Sequence, residues 1–66
     1  MRPMNYEADK DFLENDRTFR LILRDCQAGV AVIDQMNLYL KKLFDGKHLS
    51  ALYKFSFNGE DWDIKS

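Results

Sequence analysis

Residues 16–46, DRTFRLILRDCQAGVAVIDQMNLYLKKLFDG, decide the fold, because apolar or small residues recur along them every three or four positions. This spacing is that of one face of an α-helix. The stripe consists of Phe19, Ile22, Leu23, Cys26, Gly29, Val30, Ile33, Met36, Leu40, Leu43 and Phe44. Asn37 is its only interruption. The sequence therefore predicts one long amphipathic helix over residues 16–45.

Gly29 lies in the middle of this stripe and leaves three interpretations open. A continuous helix fits the unbroken spacing, with Gly29 allowing another backbone to approach closely. A helix that ends at Gly29 would make a helical hairpin, but residues 30–33, VAVI, contain no turn former. Residues 29–34, GVAVID, are also compatible with a short buried strand. We adopt the continuous helix as the prediction.

Capping residues mark the predicted helix ends. Asn5 is a suitable N-cap for a short helix over residues 6–14, and Asn15 and Asp16 favour a break before the long helix. An unbroken helix over residues 6–45 is the alternative. At the other end, Asp45 and Gly46 predict a C-cap in which Gly46 takes the left-handed conformation.

Residues 52–65, LYKFSFNGEDWDIK, predict a β-hairpin. Asn58-Gly59 favours a two-residue type I′ turn between strands 52–57 and 60–65, which pairs Phe55 with Trp62. One face would carry Tyr53, Phe55, Phe57, Trp62 and Ile64, and the other Lys54, Ser56, Asp61 and Asp63, with Lys54 opposite Asp63. An isolated hairpin is only marginally stable, so the aromatic face should pack on the long helix. The predicted class is α+β.

The length of the chain indicates that its core needs support. The chain has 66 residues, 45% of them hydrophobic, and a domain of this size buries only about 60% of its unfolded surface. Cys26 is the single cysteine, which excludes an internal disulfide and offers no metal constellation. Association with a second chain is the support that remains.

Dimensions also favour a homodimer. A helix of about 30 residues spans about 45 Å, whereas a strand of about six residues covers about 20 Å, so the hairpin cannot cover the whole stripe. We therefore predict a homodimer in which the two long helices pack antiparallel near the small residues Cys26, Gly29 and Val30. A compact monomer whose core uses the same residues is the alternative. The predicted dimer interface comprises Phe19, Ile22, Cys26, Gly29, Val30, Ile33, Met36 and Leu40.

Charge and hydropathy narrow the classes of function. The net charge is −1 and the pI is about 5.7, which does not favour a general binder of nucleic acid or of anionic membranes. No apolar window approaches the roughly 18 residues of a membrane span, and the N-terminus lacks the pattern of a secretion signal. A cytoplasmic location is expected.

Few residues are candidates for catalysis or metal binding. Cys26 lies on the apolar stripe without a histidine at helical spacing, which favours a buried structural thiol. His48 is the only histidine and has no evident partner, so we expect a solvated loop residue. The acidic residues Asp9, Asp11, Glu14 and Asp16 lack the spacing of a calcium loop. No catalytic residue, cofactor or metal site is predicted.

Arg17, Arg20 and Arg24 form a basic patch, with spacings of three and four residues. Such a patch is most often a solvated helix face, but it also suits an acidic protein surface or a phosphate. The sequence predicts a small non-catalytic protein interaction module, a dimeric regulator or inhibitor of a larger protein. A dimeric nucleic-acid-binding protein using the patch is the alternative. An origin in a phage or mobile element is an association from size alone.

Overall fold

The computed structural model describes residues 3 to 66 as three helices followed by a two-stranded antiparallel sheet. The elements are α1 (Tyr6–Asn15), α2 (Arg17–Gln27), α3 (Ile33–Asp45), β1 (Lys54–Phe57) and β2 (Trp62–Lys65). The sheet packs on the helices, mainly through β1 against α3. The predicted α+β class is confirmed.

Side chains cap the starts of α1 and α2, and Asp16 forms the corner between the two helices. At the start of α1, the side-chain oxygen of Asn5 accepts the Ala8 N–H at 3.1 Å. Asp16 has an extended backbone, φ −83° and ψ 120°, which ends α1, and its carboxylate accepts the Phe19 N–H at 2.9 Å. Asn5 and Asp16 therefore occupy the capping positions that their side chains favour. The helix α1 runs to Asn15, one residue beyond the predicted end.

The predicted continuous helix over residues 16–45 is wrong, because the chain turns back at Gly29. Gly29 has φ +75°, a conformation that residues with a Cβ atom rarely adopt. Its N–H bonds to the Cys26 carbonyl at 3.1 Å, and the Val30 N–H bonds to the Asp25 carbonyl at 2.8 Å. This pair of bonds is a Schellman motif, which ends a helix. A helical hairpin of α2 and α3 replaces the single helix.

The apolar spacing continues across Gly29 because α2 and α3 turn their stripes toward the same core. The connection between them is apolar, yet Val30 and Val32 are 77% and 65% exposed. Val32 has the extended backbone that β-branched residues prefer, and α3 begins after it without a side-chain cap. Spacing alone therefore does not distinguish one long helix from two shorter helices that share a core.

The hydrophobic core lies between the helices and the sheet. It consists of Leu13, Phe19, Met36, Leu40, Leu43, Leu49, Tyr53, Phe55 and Ile64. Phe19 of α2 contacts the hairpin by its ring, with centroid distances of 6.0 Å to Phe55 and 4.8 Å to Trp62 in edge-on arrangements. Edge-on aromatic pairs add to the stability that burial gives. The aromatic face of the hairpin thus covers the apolar stripes of the helices.

The hairpin register differs from the prediction by two residues. Phe55 lies opposite Ile64, and Phe57 lies opposite Trp62. The strands are shorter than predicted, and residues 58–61 form a four-residue connection. Because side chains alternate with a period of two, a shift of two residues leaves each side chain on its predicted face. Phe55 and Ile64 are accordingly buried.

The predicted two-residue turn at Asn58-Gly59 is wrong, and the contacts within residues 58–61 show why. Asn58 binds Asp61 twice: its N–H donates to the Asp61 carbonyl at 3.0 Å, and its side-chain oxygen accepts the Asp61 N–H at 3.1 Å. Gly59 has φ +101°, but Asn58 does not have the positive φ that a type I′ turn requires. The predicted pair of Lys54 and Asp63 is also wrong, since the two residues are not opposite each other.

The left-handed residue after α3 is Lys47, not Gly46 as predicted. Gly46 has φ −82°, whereas Lys47 has φ 64°. The Lys47 N–H bonds to the Phe44 carbonyl at 3.0 Å and the His48 N–H to the Leu43 carbonyl at 2.8 Å, which is a second Schellman motif. The turn therefore closes one residue later than the sequence suggests.

Both strands have an N–H group that is capped by a side chain. Asn37, the polar interruption of the apolar stripe, accepts the Phe55 N–H of β1 at 2.8 Å. On β2, the Asp63 carboxylate accepts the Ile64 N–H at 2.8 Å. Phe55 and Ile64 are opposite each other in the register. Their capped N–H groups oppose the addition of a further strand at either edge.

Replacing Gly29 with alanine tests the turn between α2 and α3. No atom lies within 4 Å of a Cβ built at Gly29, so the left-handed φ is the source of the cost. We expect Gly29→Ala to lower the free energy of unfolding by about 1 kcal/mol, measured by urea denaturation. In a continuous helix the same change would raise the free energy of unfolding by about 1 kcal/mol. The sign of the measured change therefore distinguishes the turn from a continuous helix.

Replacing Asn37 with alanine tests the link between α3 and β1. The change leaves the Phe55 N–H without its acceptor and should lower the free energy of unfolding by about 1–3 kcal/mol. Gln35→Ala, at an exposed position of the same helix, is the control and should change it by less than about 0.5 kcal/mol. Equal effects of the two variants would show that the Asn37 oxygen is not what stabilises this contact.

Candidate functional site

Cys26 and His48 occupy different environments. Cys26 is 5% exposed, and its sulfur lies 3.9 Å from the Val32 carbonyl oxygen. Burial, with a smaller contribution from Asp25, raises the pKa of the thiol, which disfavours the reactive thiolate. His48 is exposed and stacks on the Phe12 ring with centroids 6.0 Å apart. Cys26 is thus placed as a core residue and His48 as a surface residue.

Asp9 is a buried carboxylate, 5% exposed. It accepts hydrogen bonds from the Ser50 N–H at 3.0 and 3.2 Å, from the Ser50 hydroxyl, and from the Tyr53 hydroxyl at 2.7 Å. These bonds satisfy the carboxylate and tie α1 to the segment before β1. These contacts were not predicted from the sequence, because the partners of Asp9 are 41 and 44 positions away.

A second polar contact joins the corner at Asp16 to α3. The Tyr39 hydroxyl donates to the Asp16 carboxylate that also caps α2. Burial, together with the Asp16 acceptor, raises the pKa of Tyr39 to about 12. Burial and the Asp9 acceptor likewise raise the pKa of Tyr53 to about 12. Both hydroxyls therefore keep the proton that they donate.

The described residues include neither a cluster of metal-ligating side chains nor a membrane-spanning helix. Within residues 3 to 66, no group of three or more histidine, cysteine or acidic side chains is arranged to hold a metal ion. The same residues contain no helix that is long and apolar enough to cross a membrane.

The predicted arginine patch is divided by the fold. Arg20 and Arg24 line a groove beside Trp62 of the hairpin, whereas Arg17 is exposed on α2 outside this groove. We call it the basic groove and define it by Glu14, Arg20, Leu23, Arg24, Gln27 and Trp62. Trp62 was not predicted to lie beside the arginines, because only tertiary packing brings β2 to α2.

The predicted dimer interface is divided between the core and the surface. Phe19, Cys26, Met36 and Leu40 are buried within the chain, whereas Ile22 is half-buried and Gly29, Val30 and Ile33 are exposed. The four buried side chains are not accessible to a second chain while the fold is intact. The predicted set is thus not one exposed face, and the homodimer itself stays a prediction.

Another apolar surface lies on the outer side of α3. Leu38 is 64% exposed and Leu52 is 49% exposed. Leu38 borders two grooves, one shared with Ile22, Ala31 and Tyr39 and the other shared with Leu52. We call these five residues the Leu38 surface. Contiguous exposed apolar residues are typical of sites where proteins associate.

Comparisons of this chain with protein-family models, with curated proteins and with solved structures find no match. The basic groove offers arginine side chains beside an indole, and the Leu38 surface offers exposed aliphatic side chains. Both arrangements are suited to binding another macromolecule.

The hydrogen-bonded hydroxyls of Tyr39 and Tyr53 predict a loss of stability at high pH. The pKa values of Tyr39 and Tyr53 rise from 10.0 to about 12 in the folded chain. Their contribution is therefore fully present below pH 10 and is lost as the pH rises through about 12. Urea denaturation should show a falling free energy of unfolding over this range. A double variant, Tyr39→Phe with Tyr53→Phe, should show a smaller fall, and an equal fall would contradict this account.

Proposed function

We propose that this chain is a small non-catalytic protein interaction module, a homodimer that regulates or inhibits a larger protein by docking on it. The exposure of Leu38 and Leu52 supports this proposal most directly. A chain of this size that leaves aliphatic side chains exposed beside two grooves gains by covering them. A second copy of the chain is the cover that we propose.

The charges on α3 favour a second copy over an unrelated chain. Asp34, Leu38 and Lys42 are exposed and follow one another at four-residue spacing. If two α3 helices pair antiparallel about Leu38, each Asp34 lies opposite Lys42 of the second copy. The twofold axis then produces this charge pair twice, around a central contact of two leucines. A surface that is complementary to itself is what a twofold dimer requires.

Replacing Leu38 with aspartate tests the dimer. Leu38→Asp puts a charge at the centre of the proposed interface and should convert the dimer to a folded monomer, because an unpaired charge is costly to bury. Leu21→Asp is the control, since Leu21 is 49% exposed but does not line either groove. Light scattering after size-exclusion chromatography measures the molar mass. A monomeric native protein, or equal effects of both variants, would contradict the proposal.

Binding of nucleic acid is the second candidate function. Arg20 and Arg24 beside Trp62 favour it, since arginines and aromatic rings together can bind single strands. The net charge of −1 opposes it. Mobility of a labelled oligonucleotide at two salt concentrations tests it: salt-sensitive binding that is lost in Arg20→Glu would favour this function over protein docking.

A further inference from the structure

The basic groove carries two arginine side chains that form no ion pair within residues 3 to 66. Arg20 and Arg24 are exposed and lie one helical turn apart on α2. In the part of the chain that the structure describes, the ion pairs join Lys10 to Asp63 and Lys41 to Asp45, and neither involves these arginines. The Arg20 guanidinium donates a hydrogen bond to the backbone carbonyl of Glu14, at 3.4 Å. Both guanidinium groups can therefore bind an anionic group of another molecule.

The groove also has an apolar wall. Leu23 lies between the two arginines in the sequence, and Trp62 faces the groove from the hairpin. Leu23 and Trp62 are half-buried, so each presents part of its apolar surface. Glu14 is the acidic residue of the groove, and it lies in the last turn of α1. The groove thus combines two cations with an apolar strip.

We propose that the basic groove binds an acidic segment of a partner protein that carries an aliphatic or aromatic side chain beside its carboxylates. The carboxylates pair with Arg20 and Arg24, and the apolar side chain packs on Leu23 and Trp62. Planar guanidinium groups bind carboxylates through two parallel hydrogen bonds. This proposal rests on the docking function proposed above and adds the chemistry of the segment that is recognised.

The surroundings of Trp62 favour a protein segment over a nucleic acid. The Lys10 ammonium lies 5.0 Å from the centre of the indole ring, and the rings of Phe19 and Phe55 lie at 4.8 and 6.3 Å. An indole with these neighbours is poorly placed to stack on a base. Asp61 and Asp63 line the adjoining groove around Trp62 and would repel a phosphate chain that continued past it.

Fluorescence of Trp62 tests the proposal, because Trp62 is the only tryptophan of the chain. The probe is a capped ten-residue peptide in which aspartate and glutamate alternate with leucine and phenylalanine. The control peptide replaces the acidic residues with asparagine and glutamine. We expect a saturable change in Trp62 emission with the acidic peptide, weaker at high salt, and at least about tenfold weaker binding of the control peptide.

Two arginine variants make the test specific to the groove. Arg24→Glu should weaken binding of the acidic peptide by at least about tenfold. Arg17→Glu makes the same change in charge on the same helix but outside the groove, so it should weaken binding by less than about threefold. Circular dichroism should show that both exposed-site variants remain folded. Equal effects of the two variants would overturn the proposal.

The remaining outcomes separate the possible occupants. No saturable change in emission up to about 1 mM acidic peptide, or equal binding of the two peptides, overturns the proposal. Tighter binding of a ten-nucleotide oligothymidine assigns the groove to nucleic acid instead. A fall in molar mass for Arg24→Glu assigns it to a second copy of the chain. If a monomeric Leu38→Asp variant binds the acidic peptide, the proposal for the basic groove is supported without the dimer. If the protein is a dimer but binds no acidic peptide, the proposal for the basic groove is overturned and the dimer proposal stands.

Discussion

The left-handed backbone at Gly29 is the constraint on which the rest of the fold depends. With φ +75°, Gly29 lets the N–H groups of residues 29 and 30 close α2, and the chain can then reverse. The reversal brings Met36 and Leu40 of α3 into the same core as Phe19 of α2. A short chain gains from this arrangement, because two helices that face each other bury apolar surface that a single extended helix would leave exposed.

Three polar side chains then fix the remaining elements against this helical hairpin. Asp9 joins α1 to Ser50 and Tyr53, Asp16 joins the first corner to Tyr39, and Asn37 joins α3 to β1. Each contact pairs a carboxylate or amide oxygen with a donor, so burial of the polar group is compensated. Because hydrogen bonds depend on direction, these contacts specify the relative positions of elements that apolar packing alone would leave less defined.

The same folding separates two surfaces with different chemistry. The turn at Gly29 places Phe19, Cys26, Met36 and Leu40 inside the chain, and the apolar surface that remains exposed includes Leu38 and Leu52. Packing of the hairpin on α2 places Trp62 beside Arg20 and Arg24. Under our proposals the Leu38 surface joins two copies of the chain, and the basic groove recognises an acidic segment of a larger protein.

The sequence by itself determined the features that depend on near neighbours. Asn5 and Asp16 cap helices because their oxygens reach N–H groups three residues away, and the two faces of the hairpin follow from the alternation of side chains. Tertiary structure decided where the apolar stripe breaks, since the spacing is the same whether one helix or two helices supply it. It also decided the hairpin register, in which Phe55 lies opposite Ile64 and both side chains belong to the common core. It brought Trp62 to Arg20 and Arg24, which lie about 40 positions earlier in the chain. Contacts over such separations depend on how the whole core packs, and local spacing carries no information about them.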